Sequence, residues 1–114
     1  MGADSHTTLG ELREAIASFV AERSWQSFHT PKNLAMSIAI EAAELMELFQ
    51  WHSGAEVPNP PVAQALDWEV ADELADILIY CFALANRMDI DISTAVHGKM
   101  GRNAERYPIG SEPP

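Results

Sequence analysis

Residues 62 to 88, "VAQALDWEVADELADILIYCFALANRM", read as one helix of roughly 27 residues, about 40 Å long at about 1.5 Å per residue. Within it, "ILIYCFALA" from Ile77 to Ala85 is apolar on almost every side, yet only about half the length needed to cross a bilayer. Such a segment has to be covered by other helices, and a small bundle made by one short chain leaves part of it wet. It therefore predicts an all-α fold assembled into a homo-oligomer.

The remaining segments are also helical in pattern. Thr8 with Glu11 three residues on makes a capping box, and Leu9, Leu12, Ile16, Phe19 and Val20 form the stripe of a first helix that fades around Trp25. Thr30-Pro31 pairs a capping hydroxyl with the imino acid suited to a first helical position, which starts a second helix running to about Trp51. "SGAEVPNPP", residues 53 to 61, predicts a stiff, extended loop. A shorter fourth helix is expected from Asp91 or Ser93 to Arg106. Its Gly98 and Gly101 each cost about 1 kcal/mol relative to alanine, and they mark a place for close approach of another backbone. No segment reads as a convincing strand. The expectation is a four-helix bundle-like subunit, a single domain over residues 1–114 with short flexible tails at 1–6 and 108–114.

Charge narrows the partners. Seventeen acidic against seven basic residues give a formal charge of −10, which repels the phosphate backbone of a nucleic-acid polymer. "MGADSHTTLG" lacks the basic start and apolar segment of a signal peptide. The single cysteine, Cys81, between Tyr80 and Phe82, reads as a small buried hydrophobe. A cytoplasmic setting, without membrane or polymeric nucleic acid as partner, is expected.

Against this background the carboxylates of the long helices stand out. At about 100 degrees per residue, Glu41 points among Leu34, Leu45 and Leu48, inside the apolar stripe of the second helix, with Glu44 beside it and Glu47 further round toward water. The third helix repeats the arrangement. Leu66, Val70, Ile77 and Leu84 define its stripe, Glu73 points within about 20 degrees of it, Asp76 flanks Glu73, and Glu69 and Asp72 lie near the same edge. A carboxylate on such a face is protonated, paired with a cation, or bound to a metal. Internal cations are lacking, since these helices carry only Lys32 at one start and Arg87 at one end. A shared divalent ion on Glu41, Glu44, Glu73 and Asp76 is the remaining way to keep four of them ionised. All-oxygen ligands favour Mg²⁺, with Mn²⁺ as a substitute, over Zn²⁺. One Glu-x-x-Glu in an acidic chain is ordinarily a solvated face; two such pairs turned into apolar stripes are not.

The few basic residues cluster. Lys99, Arg102 and Arg106 share the fourth helix, and Lys99, Asn103 and Arg106 fall on one stripe. They either make salt bridges to an acidic surface or clamp the outer phosphates of an anionic substrate. Trp25 and Trp51, at the ends of the first two helices, either cap the core or offer indole faces on which a base stacks. Tyr80 suits packing and ligand contact equally, and Trp68 suits packing or an oligomer contact. The histidines His6, His29, His52 and His97 show no ligand spacing with one another; His29, beside the second helix start, is the one candidate among them.

These residues together resemble the all-α, MazG-like nucleoside triphosphate pyrophosphohydrolases, and within them the dCTP pyrophosphatase branch, over roughly residues 9 to 108. The resemblance rests on "ERSWQSFHTPKNL", "EAAELMELFQW", "DELADILIYCFALANRMDID" and "KMGRNAERYP". The family pattern Glu-x-x-Glu, spacer, Glu-x-x-Asp falls on Glu41, Glu44, Glu73 and Asp76. The resemblance implies hydrolysis of a nucleoside triphosphate to monophosphate and pyrophosphate with Mg²⁺ in a dimer or dimer of dimers. It implies further that Trp25 and Trp51 contact the base, Tyr80 lines the pocket, and Lys99 and Asn103 contact phosphates or sugar. Glu44 or Glu47 would serve as base toward the attacking water. The chain departs from the pattern at Ile16, where animal dCTP-cleaving relatives carry a pocket histidine. Action on dUTP or a phosphoribosyl nucleotide, or a metal-free helical oligomerisation module, are the competing expectations.

Overall fold

The computed structural model describes residues 2–51 and 62–114, with side chains in the second span from residue 68 onward. The expected loop 53–61, His52 and the place of Leu66 in the stripe lie outside the described residues. A single 3-10 turn, Ala3–Ser5, precedes four α-helices: α1 (Leu9–Glu22), α2 (Pro31–Glu47), α3 (Val62–Met88) and α4 (Ile92–Arg106). No strand occurs among the described residues, and none of their helices is long and apolar enough to cross a membrane.

Each start is set by a side chain that accepts from an otherwise unpaired helical N–H. Thr8 Oγ1 accepts from the Glu11 N–H at 3.1 Å, Thr30 Oγ1 from Asn33 at 3.2 Å, and an Asp91 carboxylate oxygen from Thr94 at 3.0 Å. The bonds from Thr94 hold the Asp91 carboxyl below its ordinary value.

The ends of α1 and α3 share one device. Ser24 and Asp89 both adopt a φ of 54°, and each next residue donates back to the carbonyl five before it, Trp25 to Val20 at 3.1 Å and Ile90 to Ala85 at 2.9 Å. A left-handed residue after the helix end usually is glycine; here the backbone bonds hold serine and aspartate in it.

The second helix ends earlier than expected. Its α pattern stops at Glu47, and Leu48 and Phe49 instead bond to the carbonyls of Leu45 and Met46, three residues back. This tightening places Trp51 in a turn, 88% exposed, and not on the helix.

Packing runs chiefly through α3, which takes α2 and α1 against it. Leu34 of α2, 1% exposed, and Phe82, Ala83 and Ala85 of α3 form the buried centre, with Val70, Ile77 and Leu84 half-buried as their stripe requires. Cys81 is only half-buried, and that burial raises its thiol pKa. A paired contact ties α1 to α3: Arg13 Nε donates to Asn86 Oδ1 at 2.9 Å, and Asn86 Nδ2 donates to the Arg13 carbonyl at 3.1 Å.

The expected four-helix packing is corrected at α4, which makes no comparable contact with the other helices. Val96 is exposed and Met100 is 62% exposed. Among the described residues no backbone of another element approaches Gly98 or Gly101, since a Cβ at Gly98 would meet only Arg102 Nη1 at 3.4 Å and one at Gly101 nothing within 4 Å. Trp68 is 76% exposed. The chain has an accessible surface of 8974 Å², against about 6,200 Å² for a compact monomer of its mass.

Candidate active site

The carboxylates meet where α2 lies on α3. Glu41, Glu73 and Asp76 each present an oxygen, and these oxygens lie within 4.8 Å of one another. Glu41 and Glu73 are half-buried and Asp76 is exposed. Glu41 Oε2 and Glu73 Oε2 are each buried without a hydrogen-bond partner. An ionised carboxylate only accepts, so charged carboxylates this close satisfy nothing in one another and repel.

The result is visible in their proton affinity. Burial, then the neighbouring carboxylates Glu44, Glu73 and Asp76, push the Glu41 carboxyl from its ordinary 4.5 to about 7. Burial likewise raises Glu73. Glu41 accordingly binds more protons in the folded, metal-free chain than in the unfolded chain between about 4.5 and about 7, so its contribution to stability is fully present below that window and is lost as pH rises through it. A chelator-treated sample should show a Tm that declines over this range. Glu41→Gln should flatten the decline, and an identical slope in both proteins would show that Glu41 is not its source.

Glu44 stands beside the trio and outside the three-way convergence; its side chain is exposed, but its charge acts on both Glu41 and Glu73. Glu47, at the last turn of α2, is exposed and is not part of the cluster.

A cavity of about 640 Å³ opens from this cluster between α1 and α3, lined by Glu41 and Asp76 at one side and by Leu12, Ile16, Phe19, Trp25, His29 and Tyr80 among others. That volume suits a drug-sized ligand, and the lining is the expected mix of apolar walls with a few polar groups. Trp25 reaches it through the end of α1. The backward bond to Val20 folds the chain so that the indole meets Phe19 edge-on, with ring centres 5.7 Å apart, and His29 follows at 6.4 Å. Arg23 fixes this arrangement from outside. Its guanidinium carbon lies 3.5 Å from the Phe19 ring centre and 5.9 Å from that of Trp25, while Nη1 donates to the Phe19 carbonyl at 3.1 Å.

The structure thus brings together Glu41, Glu73, Asp76, Trp25, His29 and Tyr80. It leaves Trp51, Lys99, Asn103 and Arg106 away from the cavity lining and exposed. The α4 cations form no salt bridge among the described residues, where the pair Arg23–Glu22, at 3.6 Å, is the ion pair present; Arg106 lies over its neighbour Tyr107. The Phe19–Arg23 stack and the Arg13–Asn86 pair were not anticipated. "FVAER" places an arginine four residues after a phenylalanine, one turn on, which was the available signal for the first. Nothing in the spacing signals a pair 73 residues apart.

Comparison with known proteins follows the same lines. Residues 36–113 match the MazG-like family. The chain is 46% identical over 103 residues to rat dCTP pyrophosphatase 1 and 44% identical over 105 residues to the human protein of that name, covering 90% and 89% of this chain. It spans about 60% of the length of those relatives. Among solved structures, a pyrophosphatase from Archaeoglobus fulgidus superposes with a TM-score of 0.81 at 41% identity, over 90% of this chain and 94% of its own.

Proposed function

The chain belongs to the MazG-like family, and from that premise we propose that it is a nucleoside triphosphate pyrophosphohydrolase that acts on dCTP or a modified cytosine nucleotide. The observation that carries this is the convergence of Glu41, Glu73 and Asp76, two of their oxygens buried and unpartnered, on the edge of a cavity walled by Trp25, His29 and Tyr80. The names of the rat, human and archaeal relatives support the same chemistry.

The donor set fits a hard divalent cation. Mg²⁺, or Mn²⁺ in its place, would be held by Glu41, Glu73 and Asp76 with Glu44 next to them, and the unpartnered oxygens are the acceptors such an ion needs. When bound, the ion supplies neutralisation of the triphosphate charge and acidifies water.

The protein's own residues supply the rest. Trp25 and Tyr80 hold the base against apolar walls, which fixes the distance from base to carboxylates and orients the triphosphate along them. Glu44 or Glu47 accepts a proton from the water that attacks phosphorus next to the bridging oxygen; both side chains are exposed. Pyrophosphate then leaves with its charge balanced by a cation such as Lys99.

Lys99, Asn103 and Arg106 reach this cavity in a homo-oligomer. At about 100 degrees per residue they share a face of α4, about 120 degrees wide, with the exposed Val96 and Met100. A second copy that covers the apolar part of that face necessarily meets the cations and Asn103 on it. The excess surface of the single chain and the bare indoles of Trp51 and Trp68 support the same assembly, a dimer or a dimer of dimers.

The test is product identity. With Mg²⁺ and a panel of canonical and modified nucleoside triphosphates, pyrophosphate and a nucleoside monophosphate should appear in equal amounts, with cytosine nucleotides turned over fastest. Orthophosphate as the sole inorganic product would refute the pyrophosphohydrolase assignment, and a purine preference would remove the cytosine proposal.

A further inference from the structure

The cleft between α1 and α3 does not end at the aromatic cavity. A second chamber of about 350 Å³ adjoins it, and Ile16, Val20, His29 and Ala83 line both. The far chamber adds Gln26, Asn86 and Arg87, with Ala17 and Ala21 leaving the space.

The third helix acts as a ruler along this cleft. Asp76, Tyr80, Ala83 and Arg87 follow one another at intervals of four, three and four residues, so they fall on one stripe about 60 degrees wide and about 16 Å long. Asp76 marks the carboxylate end, Tyr80 the aromatic cavity, Ala83 the boundary and Arg87 the far end. A nucleotide whose phosphates lie at the carboxylates and whose base lies by Trp25 and Tyr80 directs the outer edge of that base toward the boundary. The first cavity alone is already large enough for a drug-sized ligand, which leaves the second for something the base carries.

The chemistry of the far chamber says what that is. Asn86 is held at both ends of its amide by Arg13, which fixes its orientation in the chamber wall. Arg87 makes no ion pair among the described residues and, with the Gln26 amide, provides the free donors there. A cation in the last turn of a helix is ordinary; one that lines a cavity continuous with an aromatic, carboxylate-edged pocket has a ligand to meet.

We propose that this chamber is a subsite for a hydrogen-bond-accepting substituent on the pyrimidine, a carboxylate or carbonyl group, which Arg87 and Gln26 bind. The proposal rests on the nucleotide reading of the main cavity. The subsite makes the enzyme discriminate among base-modified nucleotides by polarity and not by size alone.

Equilibrium binding of three monophosphates, dCMP, 5-methyl-dCMP and 5-carboxy-dCMP, tests it without relying on turnover. Wild-type protein should bind the 5-carboxy compound about tenfold more tightly than the 5-methyl compound, the scale of one charge-assisted hydrogen bond. Arg87→Met should bring that ratio to about one, and Arg87→Lys should recover part of it. Damage to the fold would weaken all three ligands alike and leave the ratio standing, and that result overturns the subsite. So does a wild-type protein that binds dCMP but does not favour the carboxylate. A chain that binds none of the three refutes the nucleotide reading itself, and the subsite with it.

Discussion

Glu73→Ala is expected to lower kcat/KM for the nucleoside triphosphate by about 10³-fold, the scale set by several kcal/mol of lost charge stabilisation. Mg²⁺ should raise the Tm of the wild-type protein, and the same variant should lose that rise. Its metal-free Tm, by contrast, should not fall. Glu73 sits against Glu41 with an oxygen buried and unpartnered, so removing it relieves a repulsion. A residue kept only for structure would behave in the opposite way, with a lower Tm and an unaltered response to Mg²⁺. If Glu73→Ala retains both its activity and its thermal response to Mg²⁺, the trio is not the metal site.

The contrast between these two readouts follows from what a crowded carboxylate cluster is. Three acceptor groups within 4.8 Å cost the apo fold something, which appears as the raised pKa of Glu41. A chain that stores this repulsion on two successive helices, at the mouth of an aromatic cavity, fits the bound cation proposed above.

The helices were legible because their signals are local. Thr8, Thr30 and Asp91 all cap as their spacing to the next N–H requires, and α3 runs over the 27 residues expected. The convergence of Glu41, Glu73 and Asp76 was legible for a related reason, since a helix face is computed from spacing and two acidic faces must meet if their helices pack. Glu44 was harder to place, because one turn on from Glu41 is a small angular change that decides between lining a cluster and flanking it. The early end of α2 was not legible, as "MELFQW" continues a helical pattern while the backbone tightens to three-residue bonds. The position of α4 was illegible in principle. Its stripe says that it must be covered and does not say whether by this chain or another, and the Arg13–Asn86 pair shows how long-range contacts leave no periodic trace.

That ambiguity at α4 yields the second large effect. Lys99→Met keeps the aliphatic stem that covers neighbouring surface and removes only the charge, and it is expected to lower kcat/KM by roughly 10- to 100-fold. Because α4 makes no substantial contact with α1, α2 or α3 of its own chain, Lys99 should act on the cavity of a second copy. Co-expression of Lys99→Met with Glu73→Ala separates the two cases. In a two-fold dimer whose sites are shared, half of a random mixture is mixed dimer, and each mixed dimer carries one site in which both residues are intact, so about one quarter of wild-type activity should return. If Lys99 served its own chain, the mixture would show no more than the average of the two variants. A monomeric mass in solution, or a mixture with that average activity, would remove Lys99 from the shared site and leave it a surface charge on an acidic protein.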